Sequence, residues 1–241
     1  MSGAPAETVV LCVPGPWADR EEFVAAVSRD GWIVAGAVML NIATRENHVV
    51  QLEGPEPRLV AAVAASAGAL PDGPDLTAIA GHRSVAYLVD AGGSPERAAA
   101  AMAAGSALLR AGGLAVKVEV TGVSRTPAQW EALVADPSPL GVYRACVVTV
   151  RAPDEVYTCG MHSLGLPDVR VAATEADAGD LVDAFARYLL LEQPVVQAGE
   201  TFALGAEEPG YRVDRDGSVD YDGDPLLTNP HGTWRLVALD G

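Results

Sequence analysis

Lysine is nearly missing from this chain: of 16 basic residues all but Lys117 are arginine. Against them stand 32 acids, which leaves a net charge of −16 at pH 7 across 241 residues. A field of that sign repels nucleic acid and anionic lipid, so neither nucleic acid nor a membrane is an expected partner. Cysteine is scarce as well. Cys12, Cys146 and Cys159 are odd in number and widely spaced, which argues against a disulfide framework in a chain of this length. The opening residues lack the basic-then-apolar pattern of a secretory leader, and a reducing cytoplasm is the expected setting. The longest apolar runs, residues 59–70 and 98–109, are 12 residues each, too few to cross a bilayer as a helix.

Several familiar motifs are missing too. Gly92-Gly93 and Gly112-Gly113 lack the flanking glycines and lysine that cradle phosphates. Neither a Gly-x-Ser-x-Gly elbow nor a His-Glu-x-x-His pair occurs. No cofactor is expected from these patterns. What the chain has is an apolar half (49%) with only 20% charged residues, the balance of a compact globule. Its charge is uneven. Residues 1–153 hold 15 acids and 11 bases, while residues 154–241 hold 17 acids and 5 bases, a net of −12.

Element signals follow one another in a definite order. Residues 8–13 read as a buried strand stopped by Pro14-Gly15-Pro16. Asp19 offers an N-cap with Glu22 three residues on, Phe23, Val24 and Val27 form the apolar face behind it, and Gly31 ends the helix. Residues 32–42 and 48–52 read as strands, Leu59, Val60 and Val63 return to helical spacing, and residues 84–89 form a further strand. Strand, helix, strand, strand, helix, strand is the split βαβ, or ferredoxin-like, order. Ser94-Pro95-Glu96 then opens a long helix whose small residues, among them Ala104 and Gly105, let another backbone come close.

The second half reads as strand 114–120, helix 127–134, strands 142–150 and 154–158, a short strand 169–172, and an amphipathic helix through Leu181, Phe185 and Leu189. This repeats the first half's order. The expected fold is therefore α+β: two ferredoxin-like halves, residues 1–113 and 114–241, in one compact unit. Each half is expected to be an antiparallel sheet with helices packed on one face. A C-terminal hairpin is expected around Asp216-Gly217, with residues 234–239 closing a sheet edge.

One stretch concentrates reactive groups: Tyr157-Thr158-Cys159-Gly160-Met161-His162-Ser163-Leu164-Gly165-Leu166-Pro167-Asp168-Val169. Its Gly-Met-His-x-x-Gly-Leu-Pro-Asp turn and the acidic helix after it resemble a mostly bacterial family, domain of unknown function 4261. Leu11-Cys12-Val13-Pro14-Gly15 and Leu108-Leu109-Arg110-Ala111-Gly112-Gly113 are similar to the family as well. The resemblance implies a fold and carries over no catalytic residues.

The residues themselves leave two readings open. Cys159 and His162, three apart, would reach one metal or each other from a helical turn. Two ligands fall short of the four of a structural zinc site, and no metal is expected. As nucleophile and base with Asp168, they would need a lowered thiol pKa, which acidic surroundings oppose. The plainer reading is a buried cysteine and a histidine bonded to local backbone. Asp214, Asp216, Asp220, Asp222 and Asp224 form an acidic row that fails as an EF-hand loop. With Gly217 sixth the twelfth position is Gly223, and with Gly223 sixth it is Asn229. The row is expected to meet a basic protein partner. The expected function is thus a non-catalytic acidic binding protein of immunity or adaptor type; the alternative is a small hydrolase-like enzyme with Cys159, His162 and Asp168 lining its site.

Overall fold

A computed structural model describes residues 7–67, 73–217 and 226–239. The chain forms two units: Thr8–Ala91 with Glu96–Pro137, and Ser138–Gly241 with Met1–Glu7 and Gly92–Pro95. The class is α+β, with mainly antiparallel sheets.

The first unit is built on β1 (Thr8–Gly15), β2 (Trp32–Ala35), β3 (Val38–Asn41), β4 (Asn47–Glu53), β5 (Ser84–Ala91), β6 (Val116–Val118) and β7 (Ser124–Arg125). They form one sheet in the order β2-β3-β4-β5-β1-β6-β7, antiparallel throughout. Its helices are α1 (Arg20–Val27), α2 (Leu59–Ala67), α3 (Leu76–Ala80), α4 (Pro95–Arg110) and α5 (Pro127–Val134). The caps follow from sequence: Asp19 accepts from the Glu22 N–H at 2.9 Å, and Thr126 forms a reciprocal capping box with Gln129.

This order is not the ferredoxin-like one. The expected single strand over residues 32–42 breaks at Gly36, whose φ of +55° opens a two-residue hairpin between β2 and β3. That extra reversal turns β4 around, whereas β5, reached through α2 and α3, still runs antiparallel to β1 as the last strand of a split βαβ unit would. As a result β4 and β5, joined through α2 and α3, are adjacent and antiparallel, whereas helix-joined strands of a split βαβ unit run parallel. Helices also cover both faces of the sheet rather than one. Cys12 packs with Leu59, Val63 and Ile79 of α2 and α3, while its neighbour Leu11 meets α4 at Gly105. A Cβ on Gly105 would lie 3.0 Å from Leu11 and 3.2 Å from the Trp130 indole, so the small-residue stripe serves close packing. β6, beyond the expected boundary at Gly113, pairs with β1.

The second unit holds α6 (Pro139–Cys146), β8 (Val148–Arg151), β9 (Glu155–Cys159), a 3-10 turn (Met161–Leu164), β10 (Asp168–Ala172), α7 (Ala178–Glu192), β11 (Thr201–Phe202), β12 (Tyr211–Asp216) and β13 (Thr233–Ala238). Its sheet runs β11-β12-β13-β10-β9-β8, with β10 and β13 its one parallel pair. α7 buries Leu181, Val182, Phe185 and Leu189 and packs on β9 and β10. Residues 142–146, expected as strand, are helical because Ser138 caps the Gly141 N–H at 3.1 Å and Pro139 takes the first helical position. β13 lies inside the sheet, between β12 and β10, rather than at its edge. The expected return strand after Gly217 lies outside the described residues. The two sheets differ in strand order, so the expected duplication does not carry into topology.

Candidate functional site

The Cys159–Asp168 stretch is a corner between β9 and β10. Gly160 (φ +105°) and Gly165 (φ +75°) bracket the 3-10 turn in left-handed conformations that favour glycine. A Cβ on Gly165 would sit 2.3 Å from the Gly93 carbonyl, and the Gly93 N–H donates to the Ser163 carbonyl at 3.0 Å. The corner therefore has room for backbone alone.

Asp168 anchors it. Its carboxylate accepts from Thr158 Oγ1 at 3.0 Å, from Asn229 Nδ2 at 2.7 Å and from the Met161 N–H at 3.3 Å. Thr158 Oγ1 in turn accepts from the Val169 N–H at 2.9 Å, and Asn229 Nδ2 also donates to the Leu166 carbonyl at 3.0 Å. Burial pushes the Asp168 carboxyl up from 3.8 to about 6, against the pull of these three donors. Thr158 and Asn229 are the partners that sequence reading missed. Thr158 was legible as a buried position of an alternating strand, but nothing in sequence ties Asn229 to a carboxylate 61 residues earlier.

His162 is 1% exposed, and its Nδ1 has no hydrogen-bond partner among the described residues. Burial, followed by the charge of His231, pushes it down to about 4, with Glu7 opposing. It is neutral at pH 7. His231 Nε2 lies 2.6 Å from Glu7 Oε1. Burial and then Asp168 push the Cys159 thiol up to about 12. The corner thus brings Cys159 and Asp168 into electrostatic contact, while His162 Nδ1 reaches neither. A thiol near 12 carries almost no thiolate at neutral pH, so native Cys159 is expected to resist iodoacetamide at pH 7. Cys159→Ala is expected to shift stability by about 0.5–3 kcal/mol. Rapid labelling, followed by mass spectrometry of the tryptic peptide, would contradict this.

The acidic row divides. Asp214 is bound by Arg212 through two contacts of 2.8 Å, which hold its carboxyl below the usual range, and Asp216 pairs with Arg170. Asp220, Asp222 and Asp224 lie outside the described residues. Among the described residues no group of three or more His, Cys, Asp or Glu side chains is placed to hold a metal, and no helix is long and apolar enough to cross a membrane.

Next to the corner is an apolar groove of about 450 Å³. The turn contributes Leu164, Leu166 and Pro167, the end of α7 contributes Leu190, and Val195 and Trp234 complete the wall. Val195 is 87% exposed. In the first unit His48 Nδ1 bonds Asp90 across β4 and β5, beside a second cavity of about 400 Å³.

A family model, Domain of unknown function (DUF4261), matches residues 157–236, and the chain resembles that family there. The matched segment holds the whole corner and every groove residue named above. No curated protein and no solved structure matches the chain.

Proposed function

We propose that this protein is a non-catalytic binding protein, of immunity or adaptor type, that takes a basic protein partner on its second unit. The groove carries the reading. It is an apolar recess that includes an exposed valine, and apart from Pro95 its lining comes from the family-matched segment, in the part of the chain with net charge −12. The arginines there are largely engaged at home: Arg170 with Glu155 and Asp216, Arg187 with Asp183, Arg212 with Asp214, and Arg215 over the Trp234 ring at 4.5 Å. The groove lining itself holds no acid, and the net charge of −12 over residues 154–241 is what would draw a segment carrying apolar anchors among basic residues. The hydrolase reading with Cys159, His162 and Asp168 has less support, since its thiol is protonated and its carboxylate is occupied by three structural donors.

The partner is to be isolated by co-purification from the native host, with mass spectrometry of what stays bound. Its association rate is expected to fall steeply as salt shortens the screening length from about 30 Å at 0.01 M to about 8 Å at 0.15 M. Asp220→Asn/Asp222→Asn/Asp224→Asn is expected to flatten that dependence. Identical rates and salt slopes for the two proteins would reduce the acidic segment to solvated surface.

A further inference from the structure

Among the described residues four strands end the two sheets, and three of them are protected against pairing with another chain. β7 and β11 are only two residues long, and β8 carries Arg151 with Pro153 just beyond it. β2 has neither defence. It has no proline and no charge, and residues 31–44 contain no acid or base at all.

Its geometry favours addition of a strand. The Ile42 N–H donates to the Gly31 carbonyl, so by alternation Gly31, Ile33 and Ala35 direct their backbone groups at β3. Trp32 and Val34 therefore turn their N–H and C=O groups away from β3, to the side on which no described strand pairs. Their side chains are buried, whereas Ile33 (46% exposed), Val38 (43%) and Val49 (42%) lie uncovered on one face. The register makes that face continuous, since Ile33 is opposite Leu40 and Val38 is opposite Val49.

We infer that β2 is a self-association edge, at which two copies of the chain join antiparallel about a two-fold axis centred on Ile33. Trp32 of each copy then faces Val34 of the other, and the pairs exchange about four main-chain hydrogen bonds. Ile33 meets its own counterpart, and Val38 and Val49 extend the apolar contact. Charge selects the occupant. Two copies at −16 repel wherever acids face one another, and the charge-free stretch is where they can close. A basic partner finds no counter-charge there. Four-residue strands bury less than the roughly 1,200 Å² of a standard interface, so the dimer is a concentration-dependent equilibrium.

Sedimentation velocity on the full chain over a concentration series tests this. Reversible dimerisation is expected, tighter at 0.5 M salt than at about 0.05 M because screening removes repulsion between copies. That sign is opposite to the one expected for the basic partner. Ile33→Lys sets two ammonium groups face to face and is expected to weaken the dimer at least tenfold, with the far-ultraviolet circular dichroism unchanged. Val38→Lys is expected to act in the same direction, and Val195→Asn to leave the dimer intact. A monomer at every concentration, or a dimer indifferent to both lysine variants, overturns the inference.

Discussion

Asp168→Ala is expected to destabilise the protein by roughly 3 kcal/mol, read from urea unfolding at pH 7. Two terms oppose each other. Removing the carboxylate relieves a buried charge whose cost, from the rise of 3.8 to about 6, is about 3 kcal/mol at neutral pH. Removing it also strands the Thr158 hydroxyl, the Asn229 amide and the Met161 N–H, each buried donor costing roughly 1–3 kcal/mol. Three stranded donors outweigh one relieved charge. Asp168→Asn offers no escape, because its amide would set an N–H₂ group against the Asn229 N–H₂ or the other donors. A loss under about 0.5 kcal/mol for Asp168→Ala would mean that Asp168 does not hold the corner.

The second large effect is a pair of opposed pH dependences between about pH 4 and 6.5. Asp168 is raised in the fold, so the folded chain keeps a proton that the unfolded chain has released, and stability falls as pH rises from 3.8 through about 6. His162 is depressed, from 6.5 to about 4, so the unfolded chain binds the proton first and stability is lost as pH falls through that window. Each contributes about 3 kcal/mol in magnitude with opposite sign, and wild type is expected to be nearly flat there. His162→Gln leaves the Asp168 slope and is expected to become less stable from pH 4 to 6. Asp168→Asn leaves the His162 slope and is expected to become more stable from pH 4 to 6.5. Slopes are compared rather than absolute stabilities, so the packing cost of either substitution drops out. Equal slopes for wild type and both variants would contradict the burial of the two groups.

Local signals in the sequence held well where one residue type decides the geometry. Asp19 and Thr126 cap the helices they precede, and the strongly periodic face around Leu181 and Phe185 is the buried face of α7. Non-local arrangement was not legible. One glycine, Gly36, turns β4 around and so changes its neighbours, and no count of element order detects it. The run after Pro139 is too short for periodicity to separate strand from helix, and its cap decided the matter. The corner was conspicuous in sequence because glycine, histidine, cysteine and aspartate cluster there. Its role depends on Asn229 and on the approach of Gly93, which only the folded chain brings near. The groove was invisible for the same reason: it draws on the turn, the end of α7, Val195 and Trp234.

The groove, not the reactive corner, is expected to engage the partner. With the partner in hand, its affinity should be measured by calorimetry at about 0.05 M salt for wild type, Val195→Asn and Cys159→Ala. Val195 is exposed, so replacing it spares the fold and removes apolar area worth ~1.5 kcal/mol, roughly tenfold in Kd. A tenfold loss for Val195→Asn, with Cys159→Ala binding as wild type, is the predicted result. An unchanged Kd for Val195→Asn together with a collapse for Cys159→Ala would contradict it.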